Sequence, residues 1–200
     1  MDSFLFKIIV FISIVFWLLP PLKQYKNRFF LFFVVLALTD PLGIVLGKIF
    51  LFIPYLLYNL SGIVAYFVLF DLKKFNKRNV LIFVILIALA GLSSNSPSKY
   101  TFYFIIFINF LILVKFLKIA LIFVVENSLV NIFHMVLILY QTTSILKMLS
   151  VVENFSSGIY YFAITNIFQI LIAIFFTIFR EDDKRLHLDL KKKLRINLSK

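Results

Sequence analysis

The sequence predicts an all-α fold: a polytopic integral membrane bundle of about seven transmembrane helices, with the amino terminus outside and the carboxyl terminus in the cytoplasm. Three observations carry this expectation. Of the 200 residues 62% are hydrophobic and 15% charged, against roughly half and a quarter in soluble domains. The apolar residues gather into seven runs with polar or basic segments between them. The basic residues, 21 Lys and Arg in all, crowd onto alternate connections between those runs.

The first run, residues 4–19, carries Lys7 near its start and meets Pro20-Pro21, then Lys23, Lys26 and Arg28. A cleaved signal peptide has its positive charge ahead of the apolar core and small residues at the cut. Here the larger charge follows, so the run is expected to persist as a first helix. The second run, residues 29–50, is interrupted by Thr39-Asp40-Pro41-Leu42-Gly43, and Lys48 is the only charge before the third, about 54–70. The fourth, 80 to about 92, ends in the turn-forming Ser93-Ser94-Asn95-Ser96-Pro97-Ser98. The fifth spans about 102–117 with Lys115 and Lys118 at its far end, the sixth about 124–146, and the seventh about 160–179. At about 20 residues per crossing, the chain divides into a transmembrane domain, 1–180, and a tail, 181–200, with no room for a soluble catalytic domain.

If the connections alternate sides, 17 Lys and Arg fall on one side, and only Lys7, Lys48, Lys99 and Lys147 on the other. Basic residues are retained on the cytoplasmic side, which sets the orientation and favours a bacterial-type cell membrane. The net charge of +12 therefore reads as topology and contact with the lipid bilayer, not as nucleic-acid binding. In the tail, Leu186, Leu190 and Leu194 recur at helical spacing beside basic residues. This predicts an amphipathic helix on anionic lipid, with Lys191, Lys192, Lys193 and Arg195 at the membrane surface. Docking of the tail to a cytoplasmic protein is the alternative. The fourth run is apolar all round, and its small residues Ala88, Ala90 and Gly91 suit close approach of a membrane partner or a second copy.

An unpaired polar group in hydrocarbon costs several kcal/mol, so polar residues inside spans are packed together or functional. Counted at about 1.5 Å per residue from the cytoplasmic helix ends, Asp40, Asn59, Asn109, His134, Asn166 and Gln169 reach one layer near the midplane. Asn127, Asn131, His134, Gln141 and Thr142 share one face of the sixth helix at helical spacing. The candidate ligand-binding residues are Asp40, Asn59, Asn131, His134, Asn166 and Gln169. Asp40 is the carboxylate well inside a run, and Pro41 after it disfavours regular helix. Three readings stay open: a turn at the outer interface, a hinge with a paired carboxyl, or a site for a ligand or proton. His134 is expected to pack and hydrogen-bond.

The chain has no cysteine, no phosphate-binding glycine loop, no His-Glu-x-x-His zinc pattern and no Gly-x-Ser-x-Gly elbow. No metal or other cofactor is expected. The stretch Pro20-Pro21-Leu22-Lys23-Gln24-Tyr25-Lys26-Asn27-Arg28 faintly resembles the first-loop signature of seven-helix sugar carriers of the proline-glutamine-loop type. Pro and Gln are not adjacent here, however, and the second half has no matching motif. Thr39-Asp40, followed by Ser61-Gly62-Ile63-Val64-Ala65-Tyr66-Phe67, is distantly similar to the membrane lysoplasmalogenases. The histidine and second intramembrane Asp expected of them are missing. Each likeness covers under a quarter of the chain, and neither family is assigned. The resulting expectation is a non-enzymatic sensor or interaction subunit binding a small or lipid-like ligand. The alternative is a small carrier or intramembrane lipid-modifying enzyme using Asp40.

Overall fold

The computed structural model describes residues 3–50, 55–70, 76–94, 98–153 and 158–189. Eight helices run through them: α1 Ser3–Trp17, α2 Pro20–Lys23, α3 Phe30–Phe50, α4 Tyr55–Phe67, α5 Lys77–Ser94, α6 Ser98–Asn127, α7 Ile132–Val152 and α8 Gly158–Ile178. Four of the spans they contain are long and apolar enough to cross a membrane: Phe30–Ile49, Lys77–Ser94, Lys99–Asn127 and Ile132–Val152. Tyr55–Phe67 and Ala163–Ile178 are apolar but shorter. The chain is thus an all-α, multi-pass membrane bundle, with four full-length spans among the described residues where the sequence predicts about seven.

The helices close into a ring. α1 packs on α8, α8 on α7, α7 on α6, α6 on α4, α4 on α3, and α3 back on α1. α5 stands outside, against α4 and α6. The ring is apolar outside and sets buried polar residues among its apolar interior ones, unlike a soluble domain with its polar surface. Leu81, Val84, Leu121, Val125 and Leu171 are exposed, while Gln24, Asn59, Gln141, Asn166 and Gln169 are buried. Lipid tails are as apolar as Leu, so close packing and interhelical hydrogen bonds must hold such a bundle together.

The structure closes one reading that the sequence left open and departs from the sequence reading in two further places. α3 does not end at Thr39 but runs through Pro41 to Phe50. Proline removes one backbone donor, and neighbouring helices and hydroxyl side chains make such a loss tolerable in a membrane; Thr39 Oγ1 donates to the Val35 carbonyl at 2.7 Å one turn back. The break between the fifth and sixth runs lies not near 118–123 but at Ser128, which adopts a left-handed conformation with φ 55°. α6 therefore continues to Asn127, and Asn131 becomes the N-cap of α7, its side chain accepting from the Phe133 amide. Finally, the start of the tail is extended rather than an amphipathic helix. A 3-10 turn, Lys184–Leu186, leads into strand β2, His187–Asp189, which pairs antiparallel with β1, Leu129–Asn131. The extended loop between α6 and α7 offers free backbone groups, and pairing satisfies them better than a lone short helix would.

Both ends of the ring have their own chemistry. Where α3, α5 and α7 begin and α6 and α8 end, the chain carries Lys23, Lys26, Arg28, Lys77, Arg78, Lys184 and Arg185; we call this the basic end. Gln24, fully buried there, donates through Nε2 to the carbonyls of Phe176 at 2.8 Å and Phe179 at 2.7 Å. These carbonyls lie in the last turn of α8 and just past its end, where intrahelical donors run out.

Candidate functional site

Inside the ring lies a cavity of about 420 Å³, within the range of small-molecule sites. Six helices line it. α1 presents Val10, Ser13, Ile14 and Trp17, and α3 presents Phe32, Val35, Leu36, Thr39, Asp40 and Ile44. The α3 residues fall at i, i+3, i+4, i+7, i+8 and i+12, a single helical face. α4 contributes Tyr58, Asn59 and Gly62, α6 Ile105, Ile108 and Asn109, α7 Tyr140, Gln141, Ser144 and Lys147, and α8 Asn166 and Gln169.

The polar wall is built from α6, α7 and α8. Lys147 Nζ donates to Asn166 Oδ1 at 2.8 Å and to Gln169 Oε1 at 3.3 Å. Gln169 Nε2 donates onward to Ser144 Oγ at 3.1 Å. Gln141 Nε2 donates to the side-chain and backbone oxygens of Asn109, tying α7 to α6. Asp40 faces this wall from α3 and is exposed to the cavity. In its ionised form it interacts electrostatically with Lys147, Tyr58 and Tyr140. Among the described residues, however, it accepts no hydrogen bond and forms no ion pair at contact distance. Asn59 belongs to the cavity but points its amide outward, to Ser93 Oγ at 2.9 Å and Ser94 Oγ at 3.1 Å, which pins α5 to the ring.

Toward the basic end the cavity stops at a layer of phenylalanines. Phe29, Phe32, Phe33, Phe116, Phe133 and Phe176 come from α3 and the residue before it, α6, α7 and α8, and none is more than 1% exposed. Ring centroids lie 5.2 Å apart for Phe32 and Phe116, 4.9 Å for Phe33 and Phe176, 5.0 Å for Phe133 and Phe176, and 5.8 Å for Phe29 and Phe133. The first three are edge-to-face or tilted and the last is stacked, and edge-to-face and offset-stacked rings at such distances attract. Phe32 is the member of this layer that lines the cavity.

Of the six candidate ligand-binding residues, Asp40, Asn59, Asn166 and Gln169 line the cavity, and Asn131 and His134 do not. The latter two sit at the start of α7, about 20 Å along the helix from Lys147. Their separation follows from the corrected boundary of α7: a helix beginning at Ile132 puts them in its first turn and not at mid-depth. They form a second polar cluster beyond the phenylalanine layer. His134 Nε2 meets Glu181 Oε1 at 2.9 Å, and Asn131 Nδ2 donates to the Glu181 carbonyl at 2.9 Å. Phe123 packs against the rings of both His134 and His187. Nearby, Asp183 caps the 3-10 turn by accepting from the Arg185 amide and guanidinium, which holds its carboxyl down at about 2. The membrane-surface residues Lys191, Lys192, Lys193 and Arg195 lie outside the described residues.

Lys147 is the cavity residue that sequence reasoning missed. Ending the sixth run at 146 sent it to an outer connection, although Gln141, Ser144 and Lys147 recur three apart and so share a face of the same helix.

No protein-family model, no curated protein and no solved structure matches this chain. Its chemistry is read from its own residues. Among the described residues no group of three or more His, Asp or Glu is placed to hold a metal ion.

Proposed function

We propose that this chain binds a small or lipid-like molecule in the cavity and acts as a membrane sensor or binding subunit without chemically altering its ligand. One observation carries the reading: a cavity bearing Asp40 and Lys147, polar on the α6–α8 side and apolar over most of its remaining surface, ends toward the basic end at a buried layer of packed rings. Binding needs one route in, whereas carriage needs two. In this reading the ring crosses a bacterial-type cytoplasmic membrane seven times, the shorter α1, α4 and α8 included, with the basic end inside. The β1–β2 segment and the tail after it then face the cytoplasm, where a protein partner would meet them.

Native mass spectrometry after gentle extraction tests this directly. A stoichiometric small molecule or lipid is expected on the wild-type protein and a largely empty Asp40→Asn variant. The rival reading, a carrier or intramembrane lipid-modifying enzyme, draws on the same unpartnered carboxylate. It would displace ours if reconstituted protein moved or converted a substrate and Asp40→Asn stopped it while leaving the fold intact.

A further inference from the structure

The two charges of the cavity lie on different walls and do not touch. Asp40 projects from α3, and Lys147 is held on the opposite side by the amide oxygens of Asn166 and Gln169. Water screens such charges weakly inside a membrane protein, so each acts across the space between them. A lone cation drawn to Asp40 meets the repulsion of Lys147, and a lone anion at Lys147 meets that of Asp40. A molecule carrying both charges meets neither penalty, because its dipole opposes that of the site. We propose that the cavity selects a net-neutral zwitterion, its ammonium toward Asp40 and its acid group toward Lys147. The rings of Tyr58 and Tyr140, within range of the Asp40 charge, offer the ammonium further electrostatic contact. Ile14, Val35 and Ile108 leave an apolar flank for any attached chain. This inference rests on the binding reading above and narrows its ligand class.

The protein contains its own reporter, since its single tryptophan, Trp17, lines the cavity and packs against Tyr140 in a tilted contact, ring centroids 4.7 Å apart. Purified protein in maltoside micelles is titrated with octylphosphocholine, octyltrimethylammonium, octyl phosphate and octyl glucoside, following Trp17 emission. Octylphosphocholine is expected to saturate the signal at concentrations at least about tenfold below the other three probes, and Asp40→Asn and Lys147→Gln each to weaken it about tenfold or more. Elution volume and circular dichroism show whether each variant is folded. For a misfolded variant, competition of the singly charged probes against octylphosphocholine on the wild type decides instead. Glycine betaine, which has both charges and no chain, separates the sources: saturation by betaine means a free zwitterion, and saturation by octylphosphocholine alone means a lipid-like one. Equal binding of a singly charged or neutral probe, or an unchanged titration in folded Asp40→Asn, overturns the inference. If native mass spectrometry still finds a bound molecule in that case, the binding reading survives; if every probe is silent and the protein is empty, both fall.

Discussion

At the residue scale, the polar side chains divide by what satisfies them. Asn131 caps α7 and also holds the Glu181 carbonyl, so one amide joins the start of α7 to the chain leaving α8. Asn131→Ala is expected to lose the cap, about 1 kcal/mol, and the link to Glu181 with it. His134→Phe would keep ring contacts to Phe29 and Phe123 while deleting the bond to Glu181. Both variants should speed amide hydrogen exchange across β1 and β2 and leave Trp17 emission unchanged; protection equal to wild type would show that strand pairing stands without the cluster. Asp183 adds a pH dependence whose sign is fixed. Its carboxyl is held below the ordinary carboxylate value, so its contribution to the 3-10 turn is complete above about pH 4 and is lost as pH falls toward about 2. The protection factor of the Arg185 amide, with the intrinsic pH dependence of exchange divided out, should fall across that window and stay flat above it.

At the scale of elements, α3 brings a proline, a carboxylate and a glycine within four residues of one another. Gly43 allows α4 to come close: a methyl group there would sit 2.5 Å from Tyr58 Oη and 3.0 Å from Tyr58 Cζ. Gly43→Ala must therefore push the phenol, which also lines the cavity, away from α3. The expected result is a folded protein whose ligand affinity falls about tenfold and whose thermal stability drops modestly; unchanged affinity would mean that Tyr58 plays no part in the site. How much of this was legible in the sequence follows from the same elements. Apolar runs of near-membrane length located the seven longer helices, because burial in lipid leaves few other conformations for such segments. The α6–α7 boundary was misplaced because apolar residues continue through Ile119, Leu121 and Val124, and the break depends on one left-handed residue, Ser128, followed by the cap at Asn131. Polar residues there fit a helix stop and start, yet their spacing fits one face of a continuous helix as well. The misplaced boundary carried His134 to mid-depth and sent Lys147 out of the span. The extended strand His187–Asp189 at the start of the tail was illegible for a different reason: its conformation comes from a partner strand some 58 residues earlier in register, Leu129 against Asp189 at one end and Asn131 against His187 at the other.

For the whole molecule, the phenylalanine layer decides whether the ring encloses a pocket or a passage. In a soluble core these rings would gain from leaving water; in a membrane that gain is absent, and what remains is dispersion and shape. Phe133 touches Phe29, Phe33, Phe175 and Phe176, so Phe133→Ala should cost about 2–3 kcal/mol, less than in a soluble core because the transfer contribution is missing. It should also join the cavity to the polar cluster of His134 and Glu181. The absence of cysteine from the chain makes this measurable without background. Lys99→Cys and Glu126→Cys stand near opposite ends of α6, roughly 40 Å apart along the helix, and mark the two faces of the membrane for an impermeant maleimide. Ser144→Cys, inside the cavity, should react from the Lys99 side alone. Adding Phe133→Ala should let reagent reach it from the Glu126 side as well. Labelling of Ser144→Cys from both sides with the phenylalanine layer intact would make the cavity a conduit, and the carrier reading would then replace the sensor.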